Sequence, residues 1–310
     1  MNLELKTNVS VKSVFSRVGL AAAVLGVVVN LAQMIIITIF NKVNPVFETN
    51  GWFRYLLIAV SFYLIGFPIC CLILKSIPDG QKREEENLTF GGFIKFFLIS
   101  YFIMVLLNLF TTGFLWIVGN FKEADVVNPL ESVLSNSSIW ATIIFAGILS
   151  PIIEEVLFRG VMLNKLRTYG DKIAIITTAL LFGLFHENFS QFFYAVGLGM
   201  IFAYVTLKTG TIKYSIGLHI MINMMGSVIG TQVLNSTIAT MIFGIVVWVF
   251  VIAGLILFIK DFKKTSLLPG EVTIEKGHIL SETWLNVGMI INLIISLALM
   301  IYVLIAKGYF

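Results

Sequence analysis

The stretch PIIEEVLFRG, residues 151–160, sets two adjacent glutamates and an arginine inside an otherwise apolar run. Its surroundings decide the fold. Of 310 residues, 58% are hydrophobic and 12% charged, against roughly 25% charged residues in an ordinary soluble domain, and the mean hydropathy is +0.96. That composition excludes a soluble globular domain and describes an integral membrane protein. Windows of roughly 20 apolar residues place spans over 18–40, 52–75, 91–119, 138–168, 172–188, 190–207, 214–233, 238–260 and 284–306. The expected fold class is all-α: a polytopic transmembrane helical bundle of about nine spans, one integral membrane domain over 1–310.

Lysine and arginine placement predicts the orientation, because cytoplasmic loops carry their excess. Lys6, Lys12 and Arg17; Lys75, Lys82 and Arg83; Lys165, Arg167 and Lys172; Lys208 and Lys213; and Lys260, Lys263 and Lys264 all fall on one side when spans are counted between them. The N-terminus is expected in the cytoplasm and the C-terminus outside, with the first helix retained rather than cleaved as a signal. Trp52, Trp116 and Trp140 sit at expected outer ends and Trp284 at an inner one, where such rings favour the headgroups; Trp248 falls mid-span and does not fit. The net charge of +4 is this loop bias facing anionic lipid, so the partner it implies is the lipid bilayer and not nucleic acid. Cys70 and Cys71 are adjacent within a span, a spacing unsuited to a crosslink or a metal site. The polar segments 75–92, 121–138 and 261–283 read as loops, and His278 within the last reads as structural.

Inside the membrane a charged residue at mid-helix costs about 2.5–3.5 kcal/mol, so Glu154, Glu155 and Arg159 must face protein or water. Glu155 and Arg159 are i and i+4, the favourable order for a carboxylate and a cation. Neighbouring residues point about 100° apart on a helix, which leaves Glu154 to a cavity. Pro151 predicts a kink or local break that frees backbone carbonyls nearby. The plainest alternative is a buried ion pair that only fixes helix packing.

FGLFH (182–186) and LHIMIN (218–223) bring two of the three histidines into the membrane. His219 and Asn223 are i and i+4 and project from one helix face. If the fourth and fifth spans turn at Thr168–Asp171, Glu154 and His186 each lie roughly 21 Å from the turn and face each other. His219, six residues past Lys213, sits only roughly 9 Å deep, and matches that depth only if the 168–172 turn protrudes from the membrane. Asn30, Gln33, Asn108 and Asn292 are neutral, and Arg54 and Lys95 lie near span ends, so ionisable residues gather on the fourth, fifth and seventh spans. A transporter spreads polar groups along a path, and no internal repeat of the transporter kind is present.

These groups suit attack of water on an amide carbonyl. A carboxylate beside a histidine can take the proton as general base, and His219 with Asn223 can donate to the developing oxyanion. No GxSxG or catalytic cysteine motif occurs; Ser150 and Ser215 flank the motifs without an evident base. An alternative is zinc held by His186, His219 and a glutamate, with an open position for water, although HExxH is absent.

The residues then meet a known pattern. EEVLFRG resembles the EExxxR motif, FGLFH the FxxxH motif and HIMIN the HxxxN motif of the CPBP family, which comprises type II CAAX prenyl endopeptidases and bacteriocin-processing relatives. The resemblance covers about residues 140–225, the expected catalytic core. It implies an intramembrane endopeptidase with a cavity open to the cytosolic side, Glu154 as the water-activating base, His186 as its partner, His219 and Asn223 as oxyanion stabilisers, and Glu155 with Arg159 behind them. The implied substrate is a membrane-associated peptide or protein; no cofactor is required beyond zinc in the alternative, whose ligands would be Glu154, His186 and His219. A non-hydrolytic peptide-binding or immunity protein and a proton-coupled transporter are the competing readings.

Overall fold

A computed structural model describes residues 9–44, 47, 50–122, 133–134, 137–233, 235–263 and 265–305; Lys6, Lys264 and most of the segment 121–138 lie outside them. Among the described residues the long elements are all helices: α1 (Val11–Val43), α2 (Gly51–Leu74), α3 (Phe90–Lys122), α4 (Ile139–Tyr169), α5 (Asp171–Phe185), α6 (Phe189–Thr209), α7 (Lys213–Val233), α8 (Thr237–Phe262) and α9 (Val287–Ile305). All except α5 are long and apolar enough to cross a membrane. The all-α polytopic bundle is therefore as expected. Helix starts are fixed by side-chain caps: Ser10, Asn50, Ser138, Asn188 and Ser236 each accept from a first-turn backbone N–H, satisfying a donor the helix cannot pair itself. Ser10 thus starts α1 at Val11, well before the apolar run that marks the span at 18.

Helices α4 to α7 form the centre. Helix α3 packs on α6 and α7 and is covered by α8, while α2 packs on α1 and α9 covers α1 from outside. Half of the α6 apolar stretch is buried but only 6% of that of α8, so α8 presents its surface to the surroundings. Trp248 is 59% exposed on it, which gives this mid-span indole an outward position rather than an interfacial one. The α1–α9 crossing depends on small residues. A Cβ on Gly288 would overlap the Ser16 carbonyl group, and the Gly288 N–H instead donates to Ser16 Oγ at 3.0 Å.

Helix α4 has 31 residues, about 46 Å, against a hydrocarbon thickness of about 30 Å. Two connections wrap its C-terminal end. Lys165 donates to Ile77 O at 2.7 Å and pairs with Asp79 at 3.0 Å; Arg167 donates to Gly80 O at 2.8 Å; Val272 N–H donates to Thr168 O at 3.0 Å. Asp171 receives Arg83 at 2.5 Å and Leu268 N–H at 2.9 Å. His219 does reach the glutamates, 3.8 Å from Glu154 and 3.0 Å from Glu155. Helix α5, by contrast, has 15 residues, about 22 Å, and its C-terminal turn sits inside the bundle.

Candidate active site

The polar residues of α4 are carried on a helix that widens on both sides of them. Ser150–Glu155 is regular α-helix between two π-helical stretches, Thr142–Leu149 and Val156–Leu163; a further π stretch, Met224–Ile229, follows the motif on α7. Such insertions are rare and cluster at functional sites. The helix does not break at Pro151, as its sequence suggests: the widened turn before it absorbs the missing donor, and one carbonyl there, Ala146 O, accepts from Asn223 Nδ2 at 2.9 Å.

Glu155 and Arg159 meet as their spacing predicts. Arg159 NH1 lies 2.8 Å from Glu155 Oε1, with both side chains fully buried. Arg159 NH2 also donates to Gly199 O at 3.2 Å, and the guanidinium stacks 4.5 Å from the Phe182 ring and 5.5 Å from Phe202. Desolvating two charges is costly unless each is matched, and these contacts supply most of the match, leaving Glu155 Oε2 and Arg159 Nε without a hydrogen-bond partner. The same Oε1 receives His219 Nδ1 at 3.0 Å, so the pair also aims the imidazole.

Glu154 points the other way, into a cavity of about 420 Å³ that His186, His219 and Asn223 also line. Ser150 Oγ donates to Glu154 Oε1 at 2.5 Å, and His219 Nε2 stands 3.8 Å from Glu154 Oε2. That separation exceeds a direct hydrogen bond and suits a bridging water. His186 uses Nδ1–H to donate to Phe182 O at 2.9 Å; a carbonyl only accepts, so the neutral ring carries its lone pair on Nε2. Phe182 separates the two imidazoles, its ring edge-on to His186 at 5.0 Å and to His219 at 5.8 Å. The histidine within 4 Å of Glu154 is thus His219, while His186 shares the cavity.

The cavity runs from His219 and Glu154 toward Gln33, Tyr55, Ser227 and Glu187, at the end of the bundle away from the basic loops. For zinc, the donors do not converge: among the described residues no three of His, Cys, Asp or Glu form a group that could hold a metal ion. His278 pairs with Glu275 at 3.1 Å on an exposed loop, Cys70 is buried in the core and Cys71 partly so. Two contributors escape a reading of the sequence alone. Ser150 gives a visible signal, i and i+4 with Glu154; Glu187 gives only its place next to His186.

Residues 136–225 match the family described as Type II CAAX prenyl endopeptidase Rce1-like. Over this segment the chain is similar to that family of membrane endopeptidases. The match spans α4 to the middle of α7, the segment that carries all three motifs. A Bacillus subtilis (strain 168) protein named "Putative membrane peptidase YdiL" is 23% identical over 171 residues, covering 53% of this chain and 68% of that one. No solved structure matches the chain. The eight apolar helices and this similarity describe a multi-pass membrane protein, with α1 to α3, α8 and α9 lying outside the family match.

Proposed function

We propose that the protein is an intramembrane endopeptidase in which Glu154 activates water for direct attack on a peptide bond. One observation carries this: Glu154 is the carboxylate of the α4 pair that lines the cavity, 3.8 Å from His219 Nε2, while its neighbour Glu155 is consumed by Arg159. Water between Glu154 and the histidines gives its proton to the carboxylate as its oxygen bonds the carbonyl carbon. The oxyanion is received by the second amide hydrogen of Asn223 and by His219 when Nε2 carries a proton. The C–N bond then breaks, and the proton held at the site passes to the leaving amine. His186, with Nε2 facing the cavity, partners Glu154 in moving that proton.

The substrate in this reading is a membrane-associated peptide or protein. Zinc held by Glu154, His186 and His219 is the competing route to the same hydrolysis, and no step here runs through it.

The test is cleavage of a membrane-tethered peptide library by purified protein in detergent, wild type beside Glu154→Gln, each with and without a zinc chelator. Cleavage that survives chelation and is lost in Glu154→Gln supports the mechanism. Cleavage retained in Glu154→Gln contradicts it, and loss on chelation transfers Glu154, His186 and His219 to ligand roles.

A further inference from the structure

Beyond the hydrolytic groups, the cavity holds a second acid. Glu187 lines the wall together with Asn30, Gln33 and Gln191. It is the residue immediately after the α5 C-cap, at φ 53°, and the one non-glycine residue with positive φ among the described residues. Glycine normally takes that left-handed position because a Cβ is penalised there. A glutamate here places a carboxylate where glycine would place nothing, and strained backbone of this kind gathers at ligand sites.

The carboxylate is held from two sides. Asn30 Nδ2 donates to Glu187 Oε2 at 2.8 Å and also to Gly26 O at 2.9 Å. Oε1 lies so close over Gly26 that a Cβ there would stand 2.7 Å from it. No cation is provided: among the described residues the lysine and arginine ion pairs go to Asp171, Asp261, Glu155, Asp79 and Glu85. A part-buried carboxylate, fixed in position and facing a cavity without a counter-ion, is completed by a cation brought by a ligand.

We infer that Glu187, clamped by Asn30 over Gly26, is a specificity-determining subsite for a cationic group of the substrate, either a lysine or arginine side chain or a free α-amino group. This rests on the peptide-cleaving reading for its substrate, but the subsite itself is a binding property. The amide groups of Gln33 and Gln191 suit the backbone on either side of the bound cation. Hydrolysis occurs at Glu154 on the α4 wall, and recognition at the α5–α6 turn across the same cavity.

The test uses binding, so that it stands whether or not cleavage occurs. A random membrane-tethered peptide library, half of it N-acetylated, is retained on Glu154→Gln protein, on Glu154→Gln/Glu187→Gln and on Glu154→Gln/Gly26→Ala, and the bound peptides are sequenced. The expected result is enrichment of lysine and arginine, or of free over acetylated N-termini, on the first protein, falling about tenfold on the second, the scale of one charged hydrogen bond. The third should fall in the same direction, because its methyl displaces the carboxylate. Enrichment of side chains alone identifies a basic residue as the ligand, and dependence on the free amine identifies the terminus. A bound pool without cation enrichment, an empty pool, or equal enrichment with and without Glu187 overturns the inference. If binding behaves as expected while wild-type protein cleaves nothing, the hydrolytic reading has failed and the subsite stands.

Discussion

The two ends of the bundle solve opposite problems. At the basic end the buried charges of Asp171 and Lys165 are matched. Asp171 holds Arg83 and a backbone N–H, and Lys165 spans Ile77 O and Asp79. Two connections lie across the C-terminal end of α4. At the other end α5 stops short, the His186–Glu187–Asn188 turn sits among the helices, and Glu154 and Glu187 face a cavity without lysine or arginine partners. Satisfied charges hold a structure in place; unsatisfied ones in a cavity remain available for a ligand. The difference is why hydrolysis is assigned to one end and stability to the other, with Glu155–Arg159 lying between them.

The comparison predicts a graded series. Glu155→Ala strands Arg159 and releases His219 Nδ1, and should cost about 3–5 kcal/mol, read as a large fall in the denaturation midpoint in detergent. A variant that melts like wild type would remove the ion pair from the account. Asp171→Asn weakens the Arg83 contact that pins two loops at the basic end; about 1.5–3 kcal/mol is expected, with cleavage per folded molecule unchanged. A loss of activity without a loss of stability there would show that the ends are not separable.

His186→Ala should do the reverse. It removes a cavity-lining imidazole that is hydrogen-bonded to its own helix turn, so cleavage should fall by about 10²-fold or more while the melting point moves little. The smallest effect belongs to Lys95→Met. The Lys95–Asp261 pair is about 30% exposed on each side, between α3 and α8, and exposed pairs contribute about 0–1 kcal/mol. A larger cost would make α8 a structural part of the core.

Much of the site is legible in the sequence because helical spacing is a geometric rule. Glu155 with Arg159, His219 with Asn223 on one face, and the different directions of Glu154 and Glu155 all follow from i, i+4 and 100° arguments. What spacing along one helix cannot give is contact between helices. It does not show that His219 rather than His186 comes within ion-pair reach of Glu154, or that Glu155 joins Arg159 to His219. The π turns of α4 and α7 leave no apolar periodicity to read, and the left-handed backbone at Glu187 contradicts its local propensity. The direction of the cavity depends on α5 being short while α4 is long, and hydropathy windows of uniform length blur both.

The central claim is that two adjacent glutamates do different work. It is tested by measuring cleavage and thermal stability together for Glu154→Gln and Glu155→Gln. The account predicts that Glu154→Gln melts within about 1 kcal/mol of wild type, since an amide still accepts from Ser150 Oγ, and cleaves nothing. Glu155→Gln should lose stability first, and activity with it. A stable Glu155→Gln beside a cleaving Glu154→Gln would contradict the assignment of both residues.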